Sequence, residues 1–449
     1  MNQLRIACAV SCALAALGAT LESKAAGFAL HEQGASGLGN AYAGTAAVAE
    51  DATTVWWNPA GMARLAPGKH LSVGGTYIMP STKFTNSGST NAGGIGTLGG
   101  DGGDAGKSAL IPSVFYAMDL NPKWNLGFAA TVPFGLKTEY DPSWMGRFQG
   151  ILGEVKTFNL NGSASYKFSD AASAGFGLSY QTIKINLKTA ANYTAAGSAP
   201  SPLVGIFGAG IFPGLGAEGQ NSTSVDGNAW GWNVGTLFNA TPDTRIGIAY
   251  RSSLKYKMDG QANFSNVPAT LAPTGVFATT NVHAELNTPD DLAFSAVHKL
   301  NDRVELLGDV TWTHWSRIKQ VPIVRTSGVL SGQNLGVLTL NFRDAWRTSI
   351  GANYKLNSAW TLKAGVAYDQ SPVGSATDRT VSLPDNDRYW LSAGARYQIS
   401  QRDMIDFGYA YIKVRNADIN QNLPAGSGTI VGSFKEHVNI LGVQYQHTF

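Results

Sequence analysis

A period of two runs through much of this chain. In WTLKAGVAYD, residues 360–369, Trp360, Leu362, Ala364, Val366 and Tyr368 interleave with Thr361, Lys363, Gly365, Ala367 and Asp369, the spacing of a strand with two unlike faces. The alternation recurs in RYWLSAGARYQI (388–399), MIDFGYAYIK (404–413) and the C-terminal LGVQYQHTF (441–449). No stretch after residue 25 approaches the 18 or so uninterrupted apolar residues of a spanning helix. The nearest, LVGIFGAGIFPGLGA at 203–217, is broken by glycines and a proline. The chain is therefore confined to sheet, which either packs on a second sheet in water or closes on itself in a membrane.

The connections decide between these. Short polar turns stand at 121–123, 169–171, 241–244, 301–302, 357–358 and 400–402, and between them lie long Gly-, Ser-, Pro- and Asn-rich segments near 81–108, 137–155, 189–227, 260–287, 317–335, 372–388 and 416–432. Six short turns alternating with seven long loops join 14 strands. A soluble sandwich has no reason to sort its connections this way. An outer-membrane barrel does, and it also places aromatic residues beside the short turns, as Trp124, Phe168, Trp360 and Tyr397 stand here. Closure follows from the solvent: an open sheet edge in hydrocarbon leaves N–H and C=O groups unpaired at several kcal/mol each. Phe449, at the end of an alternating segment, suits the strand that closes on the first.

Composition agrees. Only 14% of the 449 residues are charged, against roughly 25% in soluble domains. The net charge of +3 arises from 33 basic and 30 acidic residues without a basic cluster, so no nucleic-acid partner is expected. Residues 1–25 have the layout of a secretory signal peptide: Arg5, an apolar run from Ile6 to Thr20, and Ser23-Lys24-Ala25 before the cleavage point. Both cysteines, Cys8 and Cys12, fall within it, which leaves the exported chain without a disulfide. A lipoprotein anchored through Cys12 is the competing reading, weakened by the short apolar run before it.

Several stretches resemble the FadL family of outer-membrane long-chain fatty acid transporters. They are AGFALHEQGASGLGNAYAGTAAVAEDATTVWWNPAG (26–61), FGLKTEY (134–140), WGWNVG (230–235), YRSSLKY (250–256), FRDAWR (342–347) and SPVGSATDRTVSLPDNDRYWLSAG (371–394). The resemblance implies an all-β fold: a 14-stranded antiparallel transmembrane barrel at 69–449, plugged by a small N-terminal helical hatch at 26–68. It also implies passive uptake of long-chain fatty acids, with the outer-membrane bilayer and lipopolysaccharide as surroundings. The family includes carriers of monoaromatic hydrocarbons, which is the alternative cargo. A monomer is expected.

Within that frame the site residues divide by role. An apolar capture groove is expected on two long loops, from Trp144, Met145, Phe148, Ile151 and Leu152 in one and Leu203, Val204, Ile206, Phe207, Ile211 and Phe212 in the other, because exposed apolar patches mark binding surfaces. The competing reading is that these loops pack on each other as a lid. A carboxylate head calls for a cation, best an arginine fork. The family places a basic lumen residue in FRDAWR, which makes Arg343 the leading candidate, then Arg347, with Lys188 weaker; Asp344 raises the alternative of a structural ion pair. Phe28 and Trp56 are further lumen candidates. Pro133 removes a ladder hydrogen bond and marks an interruption. The resemblance places an inward kink of the third strand at Pro133-Phe134-Gly135 and ligand exit through it.

TTVWWNPAGM (53–62) has a local explanation. Asn58 is a favoured N-cap, Pro59 fits the first helical position, and AGMARL supplies one or two turns before Pro67. Trp57 and Met62 have the spacing of a hydrophobic staple. Asn58, Pro59 and Ala60 form the triplet shared with the family, whereas tryptophans depart from it, so Trp56 either lines the ligand path or fills space. An enzyme such as a lipase is the remote alternative: GASG at 34–37 is not a nucleophile elbow. The seven histidines show no metal-ligand spacing, GLGNAYAG lacks the nucleotide-loop pattern, and no cofactor is expected.

Overall fold

A computed structural model describes residues 27–197, 203, 212–422 and 426–449; the expected signal peptide lies outside them. Fourteen strands run in chain order: β1 (Lys69–Asn86), β2 (Ala109–Asp119), β3 (Trp124–Thr131 with Gly135–Glu139), β4 (Leu152–Lys167), β5 (Ala172–Asn192), β6 (Glu218–Asn239), β7 (Thr244–Arg251 with Lys255–Ser265), β8 (Thr280–Asn287 with Asp291–Lys299), β9 (Val304–Thr313 with Gln320–Arg325), β10 (Asn334–Thr339 with Ala345–Lys355), β11 (Trp360–Asp369), β12 (Arg388–Gln398), β13 (Asp403–Val414 with Ala417–Asn422) and β14 (Thr429–Thr448). Each pairs antiparallel with its neighbour in sequence. β14 returns to β1 in an unbroken register from His70↔Thr448 to Asn86↔Gly432, so the sheet is a closed barrel.

The six short turns are built alike. The N–H groups of Leu120, Phe168, Ala240, Leu300, Leu356 and Ile399 donate to the carbonyl four residues on, at 2.8–3.0 Å. In three of them an asparagine, Asn121, Asn301 or Asn357, accepts from the next two free N–H groups through its side chain, and Ser400 does the same in a fourth. This is the turn chemistry for which Asn and Ser are favoured.

The burial pattern is inverted relative to a water-soluble sheet. On β11 Leu362 and Val366 are 41% and 53% exposed, whereas Lys363 and Asp369 are 4% and 3% exposed. On β14 Leu441 and Val443 face outward while Gln444 and Gln446 are buried. An apolar exterior around a polar lumen is stable only when the exterior meets lipid. Trp124 on Tyr166 and Trp360 on Tyr397, with ring centroids 4.8 and 4.6 Å apart, form part of an aromatic girdle near the short turns.

The lumen is filled by residues 27–68, which fold as short turns: Leu38–Asn40, Thr45–Val48, Thr54–Trp57 and Pro59–Arg64. Asn58 caps the last of these, a 3-10 helix, by accepting from Ala60 N at 3.0 Å, and its amide donates to Ala46 O and to Thr236 O on β6 at 2.7 and 3.0 Å. Wall and hatch approach so closely here that a Cβ at Gly235 would overlap Asn58. Trp57 and Met62 share one apolar cluster with Val55 and Phe115. The small residues of GLGNAYAG serve contact with the wall as well: Gly39 lies against Gly394 of β12.

The hatch is pinned on one side by buried charge. Lys363 Nζ lies 2.7 Å from Glu50, 3.1 Å from Asp406 and 2.8 Å from Ser36 O. Arg396 pairs with Asp406, Glu50 and Asp51, and Gln444 and Gln446 donate to Asp51. Removing one partner of such a network strands the others at about 3–5 kcal/mol.

Four strands change face partway along. β3 buries Ala129 and Thr131, then Leu136 and Thr138; β7 turns Gly247 and Ala249 inward, then Leu254, Tyr256 and Met258; β8 buries Leu286, then Ser295 and Val297; β13 buries Ala410 and Ile412, then Ala417 and Ile419. In β3 the cause is one extra residue: 132–134 stand opposite only 157 and 158 of β4, between the pairs Thr131↔Asn159 and Gly135↔Lys156. A one-residue insertion flips every side chain beyond it. Toward the long loops the lumen then carries an apolar cluster that includes Ile183, Tyr256, Met258, Val282, Trp315, Ile323 and Phe342.

Placing arginine on the lipid face tests the inversion. Val366→Arg should lower unfolding free energy in a bilayer by about 2–4 kcal/mol, read by urea titration of the reconstituted barrel; an unchanged midpoint would remove residue 366 from the lipid.

Candidate functional site

At the belt of strand interruptions lies a cavity enclosing about 1100 Å³ of space, including its part open to solvent. Hatch residues Ala29, Leu30, His31, Tyr42, Thr45, Trp56 and Trp57 form one wall. Pro133 and Phe134 of the β3 interruption, Ser252 and Leu254 of β7 and Pro289 of β8 form the rim, with Gln181, Asn233, Asp291, Asp309, Thr311 and Arg347 among the polar lining.

Two cations reach this space, Arg251 and Arg347. Arg347 is buried. It donates to Ala41 O at 2.7 Å and to Ser349 Oγ at 3.4 Å and lies 5.2 Å from the Trp390 ring, while its Nε has no partner. Arg251 stacks 3.4 Å over the Trp56 ring and donates to the Trp56 carbonyl, a cation–π contact that orients both groups. Trp56 thus faces the cavity under a guanidinium. Asp309 already accepts from Ser295, Thr311 and Thr45. Burial, then the Arg347 and Arg388 charges, hold His31 well below its usual range, so it meets a ligand as neutral imidazole.

The structure brings together Arg347, Trp56, Pro133 and Phe134 from the sequence candidates and leaves others outside the cavity. The Arg343 side chain is 47% exposed at the β10 interruption, bonded to Ser371 O at 3.2 Å and 3.8 Å from Asp387; Asp344 instead accepts from Ser316 N. Lys188 is exposed on β5, whose buried positions are Gln181, Ile183 and Ile185, so parity turns it outward. Phe28 packs beside the cavity, its ring 5.6 Å from Phe134 and 4.9 Å from Trp315.

The loop residues expected to display a groove are largely covered. Trp144 is fully buried, stacked 4.0 Å from Tyr140 and donating to Gly150 O at 2.8 Å. Met145, Phe148 and Ile151 are buried in the loop clusters and Leu152, at the start of β4, is half-buried. Leu203 packs near Tyr193 and Leu271, and Phe212 is exposed. Val204, Ile206, Phe207 and Ile211 lie outside the described residues. In the described part of these loops most of the apolar side chains pack on one another.

Between β2 and β3 the wall has a gap. Pairing stops at Val114↔Ala130 and resumes at Gly106↔Thr138. The β2 side carries Pro112, a residue that sheets accept where the missing N–H faces an unpaired edge. On the β3 side the groups are met from inside. Val132 N–H donates to Gln33 Oε1 at 3.1 Å and Val132 O accepts from Gln33 Nε2 at 2.6 Å. Pro133 O accepts from Leu30 N at 2.8 Å, and Gly135 N donates to Phe28 O at 2.9 Å. Phe134 N and O both bond to the Thr157 hydroxyl, at 2.9 and 2.7 Å. Residues 28–33 thus complete the interrupted strand. Sequence reasoning missed Gln33, which has no motif of its own, and Arg251, although YRSSLKY was among the resembling stretches.

A closed barrel with lipid-facing apolar strands, stopped by its own N-terminal segment and holding a cavity against that stopper, has the build of an outer-membrane transport protein for hydrophobic compounds, and its family is one of transport proteins, not enzymes. The chain belongs to the family described as outer membrane protein transport protein (OMPP1/FadL/TodX), whose profile matches residues 16–449. It is 29% identical over 454 residues to a long-chain fatty acid transport protein of Escherichia coli O6:H1, covering 97% of this chain and 98% of that one. It is 30% identical over 453 residues to outer membrane protein P1 of Haemophilus influenzae Rd, covering 95% and 96%. A solved FadL homologue of Pseudomonas aeruginosa superposes with a TM-score of 0.84 at 25% identity, covering 94% of this chain and 100% of the other. The Pseudomonas putida toluene transporter TodX gives 0.64 at 18% identity, covering 93% and 98%, a likeness of fold alone.

Gln33→Leu should leave both Val132 backbone groups unpaired. Hydrogen exchange at Val132 and at the amides of 28–31 is expected to accelerate by about tenfold or more, for a loss of about 1–3 kcal/mol, with the β1–β14 amides unchanged; unaltered exchange would show that Gln33 does not hold the kink.

Proposed function

We propose that this chain takes up long-chain fatty acids and similar amphiphiles across the outer membrane without an energy supply. Cargo meets the long loops, where Phe212 and Leu215 are exposed, and descends along the apolar lumen cluster. It then rests in the cavity with its carboxylate at Arg347, assisted by Arg251, and leaves sideways between β2 and β3 when residues 28–33 withdraw from the kink. The observation that carries this reading is that one cavity is walled by Arg347, by hatch residues 29–31 and by Pro133 and Phe134 of the gap. Bound cargo is therefore one chain segment from the bilayer. The unpartnered Nε of Arg347 is a donor that a carboxylate would satisfy with a charge-assisted bond. The curated relatives named for long-chain fatty acid transport point the same way. The alternative, monoaromatic hydrocarbon uptake, fits the fold of the toluene transporters but makes no use of a buried guanidinium.

Competition uptake in cells lacking their own transporter, with labelled oleate against excess xylene and the reverse, separates the two cargoes; preferential uptake of xylene would overturn the fatty-acid reading. Arg347→Met should weaken oleate binding by about tenfold or more, the loss of a hydrogen bond to charge worth about 1.5–3 kcal/mol, and leave toluene binding unchanged. Equal losses would make the residue structural. Replacing Pro133-Phe134-Gly135 by two regular strand residues should abolish oleate uptake while retaining surface binding, and normal uptake would defeat lateral exit.

A further inference from the structure

Arg251 and Asp291 stand directly opposite each other across β7 and β8, and both line the cavity. The parity of β8 agrees: Leu292 is 43% exposed on the lipid side, and Ala293 lines the cavity again. Opposite charges placed opposite each other on one face of a sheet are within reach of pairing. Here they do not pair. Arg251 turns its guanidinium onto the Trp56 ring, at 3.4 Å, and donates to the Trp56 carbonyl. The neighbouring Asp290 is engaged by Arg317, His314 and Tyr250, whereas among the described residues no ion pair or hydrogen bond reaches the Asp291 carboxylate. Arg251 attracts it only at longer range, and Asp290 and Asp309 repel it.

A carboxylate drawn out of water without a donor is costly, and a cationic group on the cargo would relieve that cost. The charges around the cavity point the same way. Its lining carries two arginines, Arg251 and Arg347, and two aspartates, Asp291 and Asp309, so it is balanced when empty. A lone anion tips the balance negative; a headgroup with both signs preserves it. The spacing suits such a headgroup. Asp291 on β8 and Arg347 on β10 are separated by β9, through Asp291↔Thr313 and Thr311↔Arg347, and two strand spacings set their backbones roughly 10 Å apart. With both side chains turned inward, the interval is that of a headgroup whose two charges stand a few bonds apart.

We propose that Asp291 is a cation-accepting subsite, and that the preferred cargo is a single-chain amphiphile with a zwitterionic headgroup. Its acidic group is held by Arg347 and its ammonium by Asp291. The inference rests on the reading of Arg347 as the anion site and adds the second charge to it. Trp56 has a part in this, because by holding Arg251 it keeps Asp291 open to the cargo.

The test uses the full chain in liposomes and equilibrium binding of palmitate, hexadecyltrimethylammonium and N-hexadecyl betaine, below their micelle-forming concentrations. The wild type should bind the betaine about tenfold or more tighter than palmitate, the difference that one charge-assisted contact makes. Asp291→Asn should remove that margin and the binding of the ammonium probe, while tightening palmitate by about threefold because a repelling charge is gone; Asp291→Glu should keep part of the margin. Arg347→Met should weaken palmitate and betaine alike and spare the ammonium probe. Equal wild-type affinities for betaine and palmitate, or a margin that survives Asp291→Asn, would overturn the subsite. So would loss of all three probes in Asp291→Asn, which would mark the residue as structural. Palmitate binding indifferent to Arg347→Met, with the Asp291→Asn effect on the ammonium probe intact, would instead refute the anion site and leave the cation subsite standing.

Discussion

The main-chain hydrogen bond in a solvent that offers no substitute governs this structure. Hydrocarbon cannot satisfy a free N–H or C=O, so the strands must close, and β14 meets β1 along nearly its whole length. Where the β3 ladder is interrupted the same requirement persists. It is met by a glutamine amide, a threonine hydroxyl and two backbone groups of the N-terminal segment. The hatch is thus part of the wall's hydrogen-bond accounting as well as an obstruction in the lumen.

Its attachment is lopsided. Toward β11–β14 the hatch is locked by Lys363, Arg396, Asp406 and the glutamines of β14, a network in which each charge depends on the others. Toward β3 it is held by a short run of neutral hydrogen bonds, each worth only about 0.5–1.5 kcal/mol net. The cavity lies on the weakly held side. On the proposed route, such a plug would loosen at residues 28–33 while its body stays in place, without wholesale ejection of the stopper.

Much of the fold was legible in the sequence because the physics repeats: alternation along each strand, short turns against long loops, Asn58-Pro59 at a helix start. The site was less so, for reasons that particular residues show. Arg343 and Arg347 share one motif, and only the interruption of β10 decides which enters the lumen. Lys188 is turned outward by parity on β5, which an alignment uncertain by one residue cannot fix. Trp144 and Phe148 are apolar loop residues, and composition does not separate a displayed surface from side chains that bury one another. Gln33 acts through a wall gap that exists only in three dimensions.

The β2–β3 gap bears on the order in which the protein assembles. The pairs that close the barrel join residues near 70 with residues near 448, contacts of very long range that are slow to form by loop entropy. The segment that mends β3, in contrast, stands at residues 28–33, ahead of every strand in the chain. A barrel that zipped shut first would have to admit this segment past a finished rim, whereas a segment seated before the final seam forms meets no such obstacle. In that order the stopper would be the mandrel around which the tube is wound.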